Sequence, residues 1–234
     1  MRSDLDWYFA FLNLLHRPLI RKAERFRFHE LLPEFLSIVG KMPAPVVVEI
    51  GSRDVTGVLR RDLFPKAARY TGFDIHPGRG VDVVGDAHEL SRHFEPGSVD
   101  VVFSASVFEH LVFPWKVVLE INRILKPGGY VFLSTHPVWP AHELPWDFWR
   151  FPVAGLSHLF IPETGFEIVE AVEGLPCRAY SLVADAPTRG LFRHPMNMGI
   201  ALVARKTGEY DTEKFRWDVD VHSVVRSEYP KPTR

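Results

Sequence analysis

Apolar positions follow two rhythms along this chain, and the switch between them marks the elements. Between residues 4 and 40 the spacing is helical, with Phe26, Phe28, Leu31, Leu32, Phe35, Leu36 and Val39 on one stripe. Pro18 breaks this helical segment, and Gly40 and Pro43 end it. From residue 46 the pattern becomes short, continuous apolar runs. Residues 46–50 are mostly valine and run into Gly51, which predicts a buried parallel strand entering a tight turn. Residues 70–74 and 81–86 predict a second and a third strand, each closing on an acid. Residues 99–104 predict a fourth, apolar except for Asp100. Helical spacing returns over 112–125 and stops at Lys126-Pro127-Gly128-Gly129, after which 130–134 predicts a fifth strand. A helix near 153–163 and strands at 166–172 and 198–204 complete the pattern.

Strands that alternate with helical segments imply right-handed βαβ units. The expected fold class is therefore α/β: a Rossmann-like, doubly wound, mostly parallel seven-stranded sheet with helices on both faces. Length and composition agree with this. The 234 residues are 46% hydrophobic and 24% charged, enough to build a core without disulfide staples. A net charge of -1 argues against nucleic acid as a partner. One cysteine, Cys177, rules out an intramolecular disulfide and fits the reducing cytoplasm. Asp4, Asp6, Asn13 and His16 interrupt the apolar N-terminal run, so neither a signal peptide nor stable membrane insertion is expected, although an interfacial amphipathic helix would suit it.

In open α/β sheets, ligands bind beyond the carboxyl ends of the strands. Four segments fall there in order: the turn around Gly51, Asp74, Asp86 with Ala87, and residues 104–110. Glycine lets the chain turn tightly and lets a ligand approach its backbone. An acid a little over twenty residues beyond such a glycine can accept hydrogen bonds from both ribose hydroxyls of an adenosine, and Asp74 has that spacing. Asp86 could meet the adenine amino group. Taken singly, each acid would more often be a solvated loop residue; the ordered series favours a site.

The order VVVEIGS, YTGFDI, VVGDAHEL, VDVVFSASVFEHL and ILKPGGYVFLSTH, within residues 44–174, resembles the small-molecule, type 11-like branch of class I S-adenosylmethionine-dependent methyltransferases. DFWRF at 147–151 and ETGFE at 163–167 also resemble this branch. The resemblance implies S-adenosyl-L-methionine as cofactor. It implies Glu49 and Gly51 at the methionine part, Asp74 at the ribose, Asp86 and Ala87 at the adenine, and Ser104 and Ser106 lining the methionine side. With the residue pattern, the expected division is a helical cap at 1–43, a methyltransferase domain at 44–207 with an insert at about 136–155, and a tail at 208–234. One departure stands out. Arg53 and Val55 occupy places where the family's loop usually has glycine, and the next glycine is Gly57. A pyrophosphate-binding NAD domain would suffer more from that loss, which makes a nicotinamide-dependent oxidoreductase the weaker alternative; a non-catalytic methyltransferase-like binding protein is another.

Methyl transfer is an in-line displacement, so the protein chiefly supplies proximity and alignment. A hydroxyl acceptor must also lose a proton, and a positioned histidine can take it. His136 directly follows the fifth strand and is the first candidate base; His142 and His110 come next. The expected acceptor is thus a small polar molecule with a hydroxyl, a saccharide among the choices. The insert carries Trp139, Trp146, Phe148 and Trp149, whose faces could roof a sugar ring or merely pack on the sheet. His136, His142, Glu143 and Asp147 could serve Mg or Mn, but their spacing matches no strong motif, and no metal is assigned. The aromatic N-terminal segment (Trp7, Tyr8, Phe9, Phe11) could cover the site or pair two subunits into a homodimer.

Overall fold

The computed structural model describes residues 2–19, 22, 26–183 and 185–215; most of the expected tail, including Trp217 and Tyr229, lies outside them. Strands β1 (Val46–Ile50), β2 (Arg69–Asp74), β3 (Val83–Val84), β4 (Val99–Ala105), β5 (Leu125–Thr135), β6 (Phe166–Cys177) and β7 (Met196–Lys206) form one sheet. Its order is β3-β2-β1-β4-β5-β7-β6. The pairs among β1 to β5 are parallel, and β7 runs antiparallel between β5 and β6. The expected mostly parallel, seven-stranded sheet is therefore present.

Alternation along each strand sorts side chains into two cores. On one face Val47, Val101, Phe103, Phe132 and Val203 meet Leu31, Phe35 and Val39 of helix α2 (Arg27–Val39). Phe103 and Phe132 stack with centroids 5.2 Å apart, and Phe35 sits 5.2 Å from Phe132. On the other face Val48, Ile50, Val102, Val131 and Leu133 meet Val117, Val118, Ile121 and Ile124 of helix α3 (Pro114–Ile124). Pro114 at the first turn suits this helix start, because the missing N–H would have no intrahelical partner there. The remaining α-helices are α1 (Arg2–His16) and the short α4 (Val153–Ser157). No helix among the described residues is long and apolar enough to cross a membrane.

The structure departs from the sequence pattern in five places, the first being β5, which begins at Leu125 and so takes in Lys126-Pro127-Gly128-Gly129. β3 has two residues rather than six, because a turn closed by Val81 N donating to the Gly78 carbonyl at 3.2 Å precedes it and Asp82 Oδ2 accepts from Gly72 N at 2.7 Å. Between β1 and β2 the described regular element is a 3-10 turn, Arg60–Leu63, rather than an α-helix. α4 is half as long as expected, and its chain passes through Phe160 into a second turn at Pro162–Thr164. β6 runs to Cys177, past the expected end at 172. An edge strand tolerates the glutamates and Pro176 found there.

The far end of β7 is tied to α3 by a buried cation. Lys206 is 1% exposed, and its Nζ donates to the Asn122 and Leu125 carbonyls at 2.7 and 3.0 Å, with Glu209 Oε1 2.7 Å away. These carbonyls end α3 and lack intrahelical donors, so lysine acts as its cap. Lys206→Met keeps the stem and removes the donor. It should destabilise the protein by about 1–3 kcal/mol, read as a lower urea midpoint; an unchanged midpoint would show that the carbonyls have other donors.

Candidate functional site

A cavity of about 260 Å³ opens at the carboxyl ends of β1, β2 and β4. Gly51, Asp74, Asp86, Ala87, Ser106, His110 and His142 all line it, although they come from separate stretches of chain. Gly51 sits at φ +81°, and a Cβ there would come within 2.1 Å of Val107 Cγ2. Glycine is thus required both for the turn and for the approach of the loop after β4. The Gly51 N–H donates to the Phe73 carbonyl at 2.8 Å, which fixes the turn to the end of β2.

Asp74 and Asp86 each organise the loop they begin. Asp74 accepts from the Arg53 and His76 backbone N–H groups at 3.1 and 3.0 Å, and Arg53 Nε lies 3.8 Å from its Oδ1. Asp86 caps the turn Ala87–Arg92: its Oδ1 accepts from His88 N at 2.8 Å and from His88 Nδ1 at 2.5 Å. His88 Nε2 accepts from Phe113 N at 3.1 Å, so its neutral tautomer carries the proton on Nδ1. The buried His88 lines the cavity and steers Asp86.

Two expected cofactor residues lie off the cavity. Glu49 alternates with Val48 and Ile50 and therefore points to the α2 face. Its carboxylate accepts from Tyr70 Oη and from Arg60 Nη1, the latter at 3.3 Å. Burial pushes the Glu49 carboxyl up, against the pull of the Tyr70 hydrogen bond and of Arg60. Arg60 itself reaches the cavity wall, so Glu49 holds a residue that lines the cavity. Ser104 is buried, and its Oγ donates to the Ile50 carbonyl at 3.2 Å, tying β4 to β1. Cys177 is also elsewhere, at the end of β6, where burial pushes its thiol up and away from the reactive thiolate.

The three histidines gather on the insert side. The rings of His110 and His142 lie 4.7 Å apart edge to face, and those of His136 and His142 lie 6.5 Å apart. His136 borders the cavity rather than lining it: Nε2 is 3.2 Å from Ser106 Oγ and 3.5 Å from Glu109 Oε1. Its Nδ1 donates to the Met198 carbonyl at 3.2 Å, which leaves the Nε2 lone pair facing the site. Ser106 and Glu143, both lining residues, have positive φ values of 56° and 52°. Such backbone costs a side-chain-bearing residue about 1–2 kcal/mol and is typical of functional sites.

The insert is anchored rather than loose. Phe148 N and Trp149 N both donate to the Glu109 carbonyl, and Phe151 N donates to that of His136. Its tryptophans divide by role. Trp149 packs against the core and donates from Nε1 to Leu111 O at 2.8 Å, and Trp146 is buried at the cavity wall. Trp139 is 42% exposed and stacks on His136 at 4.6 Å. Of the four groups weighed for a metal, Asp147 is held by Arg150 at 2.6 and 2.7 Å, which keeps its carboxyl low, at about 2. Sequence reasoning missed Arg60, His88 and Glu109. His88 and Glu109 lie within the motifs VVGDAHEL and VDVVFSASVFEHL, whereas nothing local marks Arg60.

Comparison with known proteins agrees with this architecture. The family described as methyltransferase domain matches residues 48–133. A ubiquinone biosynthesis O-methyltransferase of Burkholderia pseudomallei is 30% identical over 141 residues, covering 53% of this chain and 60% of that protein. The chain thus spans about three-fifths of the curated relative's length. The fold resembles an S-adenosylmethionine-dependent methyltransferase from Archaeoglobus fulgidus (TM-score 0.52, 16% identity), covering 86% of this chain and 100% of that one. It also resembles the methyltransferase CalH in complex with S-adenosylhomocysteine (TM-score 0.52, 16% identity), covering 76% of this chain and 55% of that one. The matched segment is thus similar to the methyltransferase domain family, and the sheet that contains it has the fold of these solved methyltransferases.

Proposed function

We propose that this protein transfers a methyl group from S-adenosyl-L-methionine to a hydroxyl of a small polar acceptor, in the cytoplasm. The observation that carries this reading is the convergence of Gly51, Asp74 and Asp86 on one cavity at successive strand ends. The groups present suit the cofactor. Asp74 can accept from ribose hydroxyls, and Asp86 beside Ala87 can accept from an adenine amino group. Arg53 adds a buried Nε without a hydrogen-bond partner, which suits a carboxylate. The arginine that replaces a family glycine can therefore serve the amino-acid end of the same ligand.

When bound, S-adenosyl-L-methionine supplies a methyl group already activated on a sulfonium. The chain's own task is then to align the acceptor and remove its proton. His136 suits that task, since Nδ1 is occupied by the Met198 carbonyl and Nε2 faces Ser106. Trp139, exposed and stacked on His136, offers a flat apolar face suited to a sugar ring. The O-methyltransferase names of the relatives support an oxygen acceptor. The lone Cys177 supports a reducing compartment.

Three outcomes follow. Asp74→Ala loses hydrogen bonds to a charged group worth about 1.5–3 kcal/mol each. Calorimetry should show S-adenosylhomocysteine binding weakened at least about tenfold, and an unchanged constant in a folded variant would remove Asp74 from the site. His136→Ala should slow methyl transfer by about 10² to 10⁴ while cofactor affinity holds; a rate within a few-fold of wild type would reject His136 as base. Trp139→Ala should raise the acceptor KM, whereas Trp149→Ala should lower the melting temperature. If Trp139→Ala turns over like wild type, the exposed ring does not touch the acceptor.

A further inference from the structure

The two carboxylate oxygens of Glu109 have unequal surroundings. The side chain is fully buried, and Oε2 accepts a 2.6 Å hydrogen bond from Thr135 Oγ1. Oε1 has no hydrogen-bond partner; His136 Nε2 stands 3.5 Å away. A buried anionic oxygen without a donor is costly, so a missing positive group would account for it. His110 and His142 each bring a potential ligand atom within 4.8 Å of Glu109's and of each other's.

The histidine tautomers point the same way. Carbonyl oxygens only accept, so His110 Nδ1 donates to Trp146 O at 2.6 Å and His142 Nδ1 donates to Pro140 O at 3.1 Å. Each neutral ring then has its lone pair on Nε2. Metal-bound histidines are characteristically held this way, by a carbonyl or carboxylate on the other ring nitrogen. Asp147 Oδ2, 3.6 Å from His142 Nδ1, adds negative charge behind that ring. His142 has a side chain 32% exposed, so it has room to close a few tenths of an ångström onto an ion.

We propose that Glu109, His110 and His142 bind one divalent transition-metal ion of the zinc, cobalt or manganese class. Two imidazoles with one carboxylate suit these ions, whereas magnesium and calcium require oxygen ligands. This set shares only His142 with the one weighed from spacing alone, in which His136, Glu143 and Asp147 stood beside it. His110 and His142 line the cavity, so the ion's open positions face the acceptor. Its role rests on the methyl-transfer reading. The ion would hold the acceptor oxygen and make its O–H more acidic. The proton then passes to His136 Nε2, the oxygen lone pair forms the new C–O bond, and the C–S bond breaks with its electron pair left on sulfur.

The test uses untagged full-length protein, stripped with a chelator and dialysed against zinc or cobalt chloride. Elemental analysis should find one zinc per chain, and cobalt should give the visible absorption of a low-coordinate site. His142→Ala and Glu109→Gln, each verified as folded by circular dichroism, should bind zinc at least tenfold more weakly. His142 is partly exposed, so its variant keeps the test valid if Glu109→Gln does not fold. Wild-type protein that retains neither metal, or folded variants that bind zinc as wild type does, would overturn the proposal. A parallel S-adenosylhomocysteine titration separates the two readings. Zinc bound without the nucleoside would sink methyl transfer and leave the metal site standing; the nucleoside bound without zinc or cobalt would do the reverse.

Discussion

The turn that follows β1 is the constraint on which the site depends. Its Gly51 N–H is committed to the end of β2 through the Phe73 carbonyl, and its missing Cβ leaves the space taken by Val107 after β4. Three strand ends therefore meet around one residue. β1 is the first strand and pairs with both β2 and β4, so the crevice lies where the strand order reverses. A side chain at Gly51 would push Val107 away and displace Ser106 and the Glu109–His110 turn behind it. The cavity is in this sense a packing consequence of the sheet, with its acids delivered by adjacent strands.

The same geometry explains which parts of the site were legible in the sequence. Gly51, Asp74, Asp86 and Ala87 stand out because each follows a short apolar run, and parallel strands deliver such positions to one edge. Glu49 follows the same motif, but two-residue alternation turns it toward Tyr70 and Arg60, while its neighbour Ile50 faces the cavity. That placement was available from the pattern of Val46 to Ile50 alone. Ser104 shares the cavity-side face but is used to bind β4 to β1. The three histidines were candidates from the sequence, but the place of Glu109 among them was not legible. It depends on an insert whose backbone hydrogen-bonds to the Glu109 carbonyl, a contact that no periodicity announces.

The fold shows a similar division. Strands buried on both faces, such as β1 and β4, read directly as valine-rich runs. Errors fall at the sheet edges, in short connections and at the start of β5. At β3, side-chain and turn hydrogen bonds around Asp82 replace strand pairing. At β6, the opposite edge, Glu173 and Pro176 mask the last residues of a strand that the antiparallel β7 holds in register. Arg53 is the most informative departure from the family pattern. In place of a glycine that would let a pyrophosphate approach the backbone, the loop has a cation beside Asp74. That exchange favours a ligand with a carboxylate over a dinucleotide.

On the proposed reading, the cavity holds an adenosine linked to an amino acid. Thermal unfolding with S-adenosylhomocysteine or NAD at equal concentrations tests it most directly, because a ligand that binds only the native state raises the melting temperature in proportion to its occupancy and affinity. S-adenosylhomocysteine should raise the transition and NAD should leave it where it was. Stabilisation by NAD with none by S-adenosylhomocysteine would show a dinucleotide site instead.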